Sequence, residues 1–502
     1  MSEHLTSLVP ARLWIALALA PILLALGAAR AGASPTQLSI MQDDTELHTS
    51  RMDSRLDEMK ALGTDVVKVR IGWGYVAPKG TAKPSGFDPT NPSSYPSGAW
   101  DSYDAIIRAI AARHMRPYIA ITGPAPGWAD SHNDPLRPNP VEFGRFVEAV
   151  GKRYSGTFAG GNGNGYNDPL QRLPHVVIWG LWNEPNLASW LKPQYSHGVP
   201  ASPDVYRRLV YAMQDGLTTS GHGSDTYLIG ELLPFARSGR TGVTKVRPIA
   251  FLREMACLDS HYRAYRGSAA KKRGCTRRFR KLPGTGIAYH PYTYAGGPDV
   301  PQRNGDDASI GELGRVERAV DALSRRHRLV GGRLPIWITE FGFQSDPPDT
   351  FQSPIKKIPG FMGEAEWLAY RDRRVVSYSQ YPLVDDPLGT GAQKYAGFQS
   401  GLRFIDGSAK KPVYQAYRMP FYVRARSSRL VEIFGGVRAA AGGTPVTVQS
   451  RTGHGSWKTL PGGATRLGPG GYFDKLFAVS KTGRQFRFLA GNSASRSAGA
   501  KG

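Results

Sequence analysis

The chain has 502 residues, 40% of them hydrophobic and 10% aromatic, and a formal charge of +24. Its length suits one large single-core domain with a smaller one beside it, and the apolar content fits a globular chain rather than a disordered one. Nucleic acid is excluded as a partner by how the charge is laid out: the basic residues are mostly Arg scattered over helix-like stretches such as "VERAVDALSRRHRLVGGR", with no basic stripe interleaved with aromatics. The excess reflects either a compositional habit or an outer surface suited to anionic polymers such as cell-wall material.

At the N-terminus, "ARLWIALALAPILLALGAARAGAS" combines an Arg, an apolar stretch broken by Pro21 and small residues around Ala31 and Ala33. This predicts a signal peptide over residues 1–33 and a secreted or cell-surface protein; the alternative is an uncleaved membrane anchor. From there strand-like and helix-like runs alternate over residues 35–421. The strands are "LSIMQ", "VVKVRIGW", "RPYIAIT", "HVVIWGLWNE", "TYLIGELL", "GIAYHPY", "PIWITEF" and "VVSYSQY". Among the helical runs between them are "SRMDSRLDEMKALG", "WDSYDAIIRAIAARHM", "VEFGRFVEAVGKRY", "PDVYRRLVYAMQDGL", "GELGRVERAVDALSRR" and "KPVYQAYRMPF". Eight such units predict an α/β fold, a (β/α)8 TIM barrel whose active site is built by the loops after the strands.

Two turn-dense loops interrupt the pattern. "APKGTAKPSGFDPTNPSSYPSGAW" follows the second strand and is expected to wall the cleft. "SGTFAGGNGNGYNDP" precedes the fourth and is expected on the opposite face; its single Gly-Asn run is too short to predict a calcium site. Cys257 and Cys275 are the only cysteines and lie in one basic insertion. In an exported chain they predict one disulfide, and with no clustered His or Cys spacing nearby, no metal and no cofactor is expected. From Phe421 on, short alternating runs between Gly-rich turns predict a small C-terminal β-sandwich over residues 422–491, followed by a disordered tail, 492–502. This end carries 13 Lys and Arg against 2 Asp and Glu, a net +11. That fits either a module that binds an anionic cell-wall polymer or an appendage that packs on the barrel.

The chemistry is suggested by two strand ends. "LWNEPNLASW" places Glu184 at the end of the fourth strand, and "LPIWITEFGF" places Glu340 at the end of the seventh. Carboxylates have little use in a strand core, and two that face each other across a barrel mouth can act as an acid and a nucleophile on a glycosidic bond. Trp128 and Trp190 are assigned to the cleft rim, where an aromatic face stacks on a sugar ring. Glu231, on the fifth strand, is expected to hydrogen-bond substrate, and Asp43, after the first, has the same ambiguity between substrate and structure.

Together "WNEPN", "ITEFGF" and "YHPY" resemble the catalytic strands of the clan A retaining glycoside hydrolases, over roughly Gln37 to Phe421. The resemblance implies Glu184 as acid/base, Glu340 as nucleophile and Asn183 as the contact to the sugar 2-hydroxyl. It further implies that Tyr292 hydrogen-bonds the nucleophile, that His290 lines the adjoining subsite and that Arg70 keeps the nucleophile ionised. "WNEPNLASW" with "YRRL" is similar to glycoside hydrolase family 39, and the general pattern also to the cellulase-like family 5. Two departures, "AITGPAPGW" without a His and Tyr381 where a Trp is expected, speak against cellulose. The expected substrate is a polysaccharide or oligosaccharide. The competing readings are a transglycosylase with the same residues and a non-catalytic carbohydrate- or wall-binding barrel.

Overall fold

The computed structural model describes residues 37–502 apart from 131, 159–171, 237–243, 277 and 294–295. The leader and most of the "SGTFAGGNGNGYNDP" loop therefore lie outside the described residues. Eight parallel strands close a barrel: β1 Leu38–Gln42, β2 Val66–Gly72, β3 Arg116–Thr122, β4 Ile178–Leu181, β5 Thr226–Leu232, β6 Gly286–Tyr289, β7 Ile336–Ile338 and β8 Val375–Gln380. Each pairs with its sequence neighbours, and β8 closes on β1. A helix of two turns or more follows each strand: α1 Met52–Ala61, α2 Asp101–Ala112, α3 Pro140–Arg153, α4 Ser202–Thr219, α5 Pro248–Met255, α6 Leu313–Arg325, α7 Ile358–Arg371 and α8 Lys411–Arg418. Gly63, at φ +76°, ends the first of them as the sequence predicts.

The strands are buried on both faces, as parallel strands must be. On β2, Val67, Val69 and Ile71 pack outward against the helices, so Val66, Lys68 and Arg70 face the lumen by the period of two. The lower lumen is filled by Ile40, Val66, Tyr118, Ile178, Leu228, Ala288 and Trp337, one residue from each of seven strands. Two glycines make room for the large members of this layer. A Cβ at Gly180 would overlap the Tyr118 hydroxyl, and one at Gly286 would stand 2.6 Å from Trp337.

The sequence pattern did not reveal α5 and α7. α5 is only eight residues long and runs into the Cys insertion. α7 lacks a polar face: Met362 through Trp367 are all buried, because the helix lies between the barrel and the C-terminal lobe. Cys257 and Cys275 form a disulfide between α5 and β6. Among the described residues no helix is long and apolar enough to cross a membrane.

The C-terminal lobe is a pair of antiparallel sheets. One contains β9 Phe421–Ala425, β10 Val431–Gly436 and β13 Tyr472–Phe477; the other contains β11 Pro445–Thr452, β12 Lys458–Arg466, β14 Arg484–Ala490 and the short β15 Ser493–Ala494. Val431, Ile433, Val448, Phe473, Phe486 and Phe488 fill the space between them, matching the predicted β-sandwich. The expected disordered tail is a correction. Ala498 bridges Phe486, Lys501 bridges Arg424, and the Lys501 ammonium binds Glu364 and Asp299. Small polar residues bury little surface, which is why the segment reads as disorder, but edge pairing needs only backbone groups. The lobe meets the barrel through a buried seam in which Arg438 binds Glu366 (2.7 Å), the Ser39 hydroxyl (3.0 Å) and the Tyr417 carbonyl (2.9 Å), and Tyr472 donates to Glu366 (2.5 Å).

Candidate active site

Three residues around the strand ends leave regular backbone. Trp182 and Glu184, past the end of β4, sit at φ +67° and +39°, and Glu231 near the end of β5 at φ +50°. A non-glycine residue held in this region is strained, and such strain concentrates at functional sites. The pairing of β5 with β6 shifts register between Gly230 and Leu232. This bulge turns Glu231 inward, out of the strand's alternation. The Glu184 N–H donates to the Glu231 carbonyl (2.9 Å), which locks the two strand ends together.

Glu184 and Glu340 converge as the sequence predicts. One oxygen of each lies within 4.8 Å of the other, and a His290 ring nitrogen lies within that distance of both. Around Glu340, Tyr292 donates to Oε2 (3.3 Å) and Lys68 to Oε1 (3.1 Å). In the amide orientation that satisfies both of its partners, Asn183 also donates to Glu340 Oε1 (3.2 Å) and accepts from Trp190 Nε1 (3.3 Å).

Beneath this pair lies a layer of charge that the sequence reading did not assemble. Lys68, Glu231 and His290 have no exposed surface. Lys68 binds Glu231 (2.7 Å) as well as Glu340. His290 Nε2 meets Glu231 Oε2 (2.5 Å), while Nδ1 faces Glu184 (3.3 Å) and Glu340 (3.5 Å). Thr339 donates to Glu231 at 3.0 Å and Tyr118 supplies a further hydroxyl. Burial alone would neutralise these groups, yet the partners win. Burial raises the Glu231 carboxyl, but Lys68 and His290 hold it well below the usual range. Burial likewise raises Glu340, and His290, Lys68 and, behind them, Arg70 bring it below its ordinary value. His290 is pushed down by burial and lifted to about 9 by Glu340, Glu184 and Glu231. The result is a buried tetrad of two cations and two anions.

Several expectations are corrected by this arrangement. Glu231 does not reach the cleft to bind substrate; a bulge aims it into the lumen, where four side chains occupy its oxygens. His290 does not line a subsite, because its ring is wedged between three carboxylates. Arg70 does help to keep Glu340 ionised, but from a distance: it binds Asp44 (2.8 Å) and lies over the Trp190 ring at 5.5 Å, and the direct contact to Glu340 is made by Lys68, one lumen position lower on β2. Trp128 is not brought to the carboxylates; its indole donates to the Pro78 carbonyl (2.9 Å) and packs edge-on to Trp73 and Phe87. Trp190 stands beside the pair through Asn183. Tyr381 packs edge-on to Phe398 (5.0 Å), which also contacts Tyr292. Asp43 is structural: its carboxylate caps the Glu46 N–H and accepts from Leu383 and Val384 at the end of β8. Burial pushes it up to about 7 despite these donors.

The missed residues are Lys68, Asp44, Thr339 and Tyr118. Lys68 carried a signal: a lone Lys inside "VVKVRIG", on the lumen parity of a strand buried on both faces, requires carboxylate partners.

No protein-family model matches the sequence, and no curated protein matches it. Solved structures do match at low identity. An exo-β-1,4-mannosidase from Opitutaceae bacterium strain TAV5 is 15% identical with a TM-score of 0.42, the match covering 76% of this chain and 58% of that one. A family 1 β-glucosidase from Thermotoga maritima is 12% identical with a TM-score of 0.43, over 76% of this chain and 97% of that one. A GH5_18 protein from Bifidobacterium longum subsp. infantis is 12% identical with a TM-score of 0.46, over 76% and 77%.

Proposed function

We propose that the chain is a secreted retaining glycoside hydrolase that cleaves O-glycosidic bonds of a polysaccharide or oligosaccharide. The observation that carries this is the approach of Glu184 and Glu340 to within 4.8 Å at the barrel mouth. A carboxylate pair about 5 to 5.5 Å apart leaves no room for an intervening water, so one carboxylate attacks the sugar directly. Glu340 is the nucleophile: Lys68 and His290 keep it ionised, and donors from Tyr292 and Asn183 fix its oxygens. Glu184, whose carboxylate faces His290, is the acid/base.

In the first step a Glu340 oxygen bonds to the anomeric carbon as the bond to the leaving oxygen breaks, and Glu184 gives its proton to that oxygen. In the second, Glu184 takes a proton from water, whose oxygen bonds to the anomeric carbon and releases Glu340. Two inversions restore the original configuration. Export rests on the leader-like N-terminus and agrees with the Cys257–Cys275 bond.

The test is leaving-group dependence. Glu184→Ala is expected to lose about 10² to 10⁴ in rate on a natural linkage, yet to keep a phenol burst with a dinitrophenyl glycoside of the same sugar. Glu340→Ala has no nucleophile and is expected to fail on both. A burst from Glu340→Ala and none from Glu184→Ala would exchange the roles. Full activity in both variants would place the pair elsewhere, and an inverted first product in proton NMR would rule out retention.

A further inference from the structure

In the C-terminal lobe, carboxylates are confined to one of the two sheets. Glu432 and Asp474, its only acidic residues, stand on β10 and β13, where Arg371 and Arg426 attend them. The sheet of β11, β12 and β14 has none, and from Pro445 to Arg466 and Arg484 to Gly502 the chain carries seven Lys and Arg and no Asp or Glu. Arg496 and Lys501 are turned back onto Phe421 and the barrel. Arg451 and Arg487 are not.

Their position is set by strand alternation. Val446, Val448 and Ser450 of β11, and Phe486 and Phe488 of β14, point into the sandwich. Gln449 and Arg451 therefore face outward, beside Arg487 and Gln485 by the register Gln449 to Arg487 and Arg451 to Gln485. Trp457 leans over this face: the Arg451 guanidinium lies 4.7 Å from its ring centre and that of Arg487 4.3 Å. Gln449 accepts from Arg487 Nε (2.9 Å), fixing that fork, while Arg451 Nε has no hydrogen-bond partner among the described residues. One indole thus gathers two planar cations that, among the described residues, no carboxylate pairs with. Held close together over one ring, two guanidiniums are preorganised for bidentate pairing with anions carried at intervals on an extended chain.

We propose that this outer face is a binding site for a carboxylated polysaccharide, distinct from the cleft. The choice of a saccharide among polyanions rests on the glycosidase reading; the anionic character rests on the face itself. The site would hold the enzyme on an acidic glycan while the barrel mouth works.

The test measures binding without turnover, so it stands apart from the activity assays. Full-length protein is run in affinity electrophoresis against polygalacturonate, neutral dextran and duplex DNA. Retardation by polygalacturonate alone is expected. Arg451→Gln/Arg487→Gln is expected to weaken it by about tenfold or more, and the milder Arg487→Gln by less, since charged hydrogen bonds are each worth about tenfold. Turnover of a small aryl glycoside is expected to stay unchanged. Arg325→Gln/Arg326→Gln removes the same charge at the C-terminal end of α6 and is expected to leave binding intact. The proposal is overturned if polygalacturonate does not retard the protein or if dextran does so equally. Equal loss in the α6 variant would mean net charge alone, and equal binding of DNA through the same arginines would mean a general polyanion surface; either result also overturns it.

Discussion

At the barrel mouth, Glu231 and Glu340 share two cations, Lys68 and His290; at the seam between the lobes, Glu366 has one, Arg438. All three carboxylates are withdrawn from solvent. Those at the mouth are nonetheless held below their ordinary range, whereas burial raises Glu366 despite Arg438 and Tyr472. Each mouth carboxylate contacts both cations, and that offsets burial; the single Arg438 does not offset it at Glu366, whereas at Asp44 one contacting arginine, Arg70, does so with help from the nearby charge of Lys68.

The largest effect is expected from breaking the mouth. Lys68→Met leaves Glu231 and Glu340 buried with only His290, and removing one partner of a buried ion network costs about 3–5 kcal/mol. Urea unfolding is expected to show that loss. The acid limb of kcat/KM is expected to move up in pH, because Glu340 then protonates more readily. An unmoved limb would mean that Lys68 is scaffolding alone. Next comes the disulfide: Cys257→Ser/Cys275→Ser is expected to lose about 3 kcal/mol by freeing the unfolded loop, with kcat/KM unchanged. Thiol titration of the denatured wild type is expected to find no free thiol.

Replacing each ion pair by apolar residues sharpens the contrast. Arg438→Met/Glu366→Leu at the seam is expected to be neutral or to stabilise by about 1–4 kcal/mol, as buried pairs often allow. Lys68→Met/Glu231→Leu at the mouth is expected to fold and yet lose about 10²-fold or more in kcat/KM, because Glu340 and His290 lose their supports. Equal activity in the two double variants would dissolve the comparison.

The smallest effect is the pH dependence of His290. Its folded pKa, about 9, lies above the ordinary 6.5. The stability it contributes is therefore fully present below about pH 6.5 and is lost as pH rises through about 9. Denaturant midpoints measured across pH 6 to 10 are expected to fall over that window, and His290→Gln is expected to flatten the decline.

The barrel and the two carboxylates were legible because both follow from repetition: eight strand-helix units, and an acid at the mouth of two of them. α7 was not, since a helix buried on all sides has no periodic face to read. The roles of Glu231 and His290 were misplaced for a different reason. Both were expected against substrate because they stand near strand ends, but how deep a side chain sits in the lumen is set by partners on other strands, and Lys68 and their mutual contact hold these two beneath the pair. Lys68 was readable by parity, but its partners come from β5 and β7, and no local pattern names them. Arg70 drew attention because it stands nearer the strand end, whereas the cation that touches Glu340 is the more deeply set one.

Tyr118 reaches Glu231 across the lumen only because position 180 on the neighbouring strand has no side chain. Positions 118 and 180 therefore behave as one site in any attempt to remodel the barrel. Enlarging 180 alone would push the phenol away and strip a donor from Glu231, while shrinking 118 alone would open a void beside a charge. A library that alters the barrel floor needs to vary the two together, and variants that grow one residue as they trim the other are those in which the tetrad above survives.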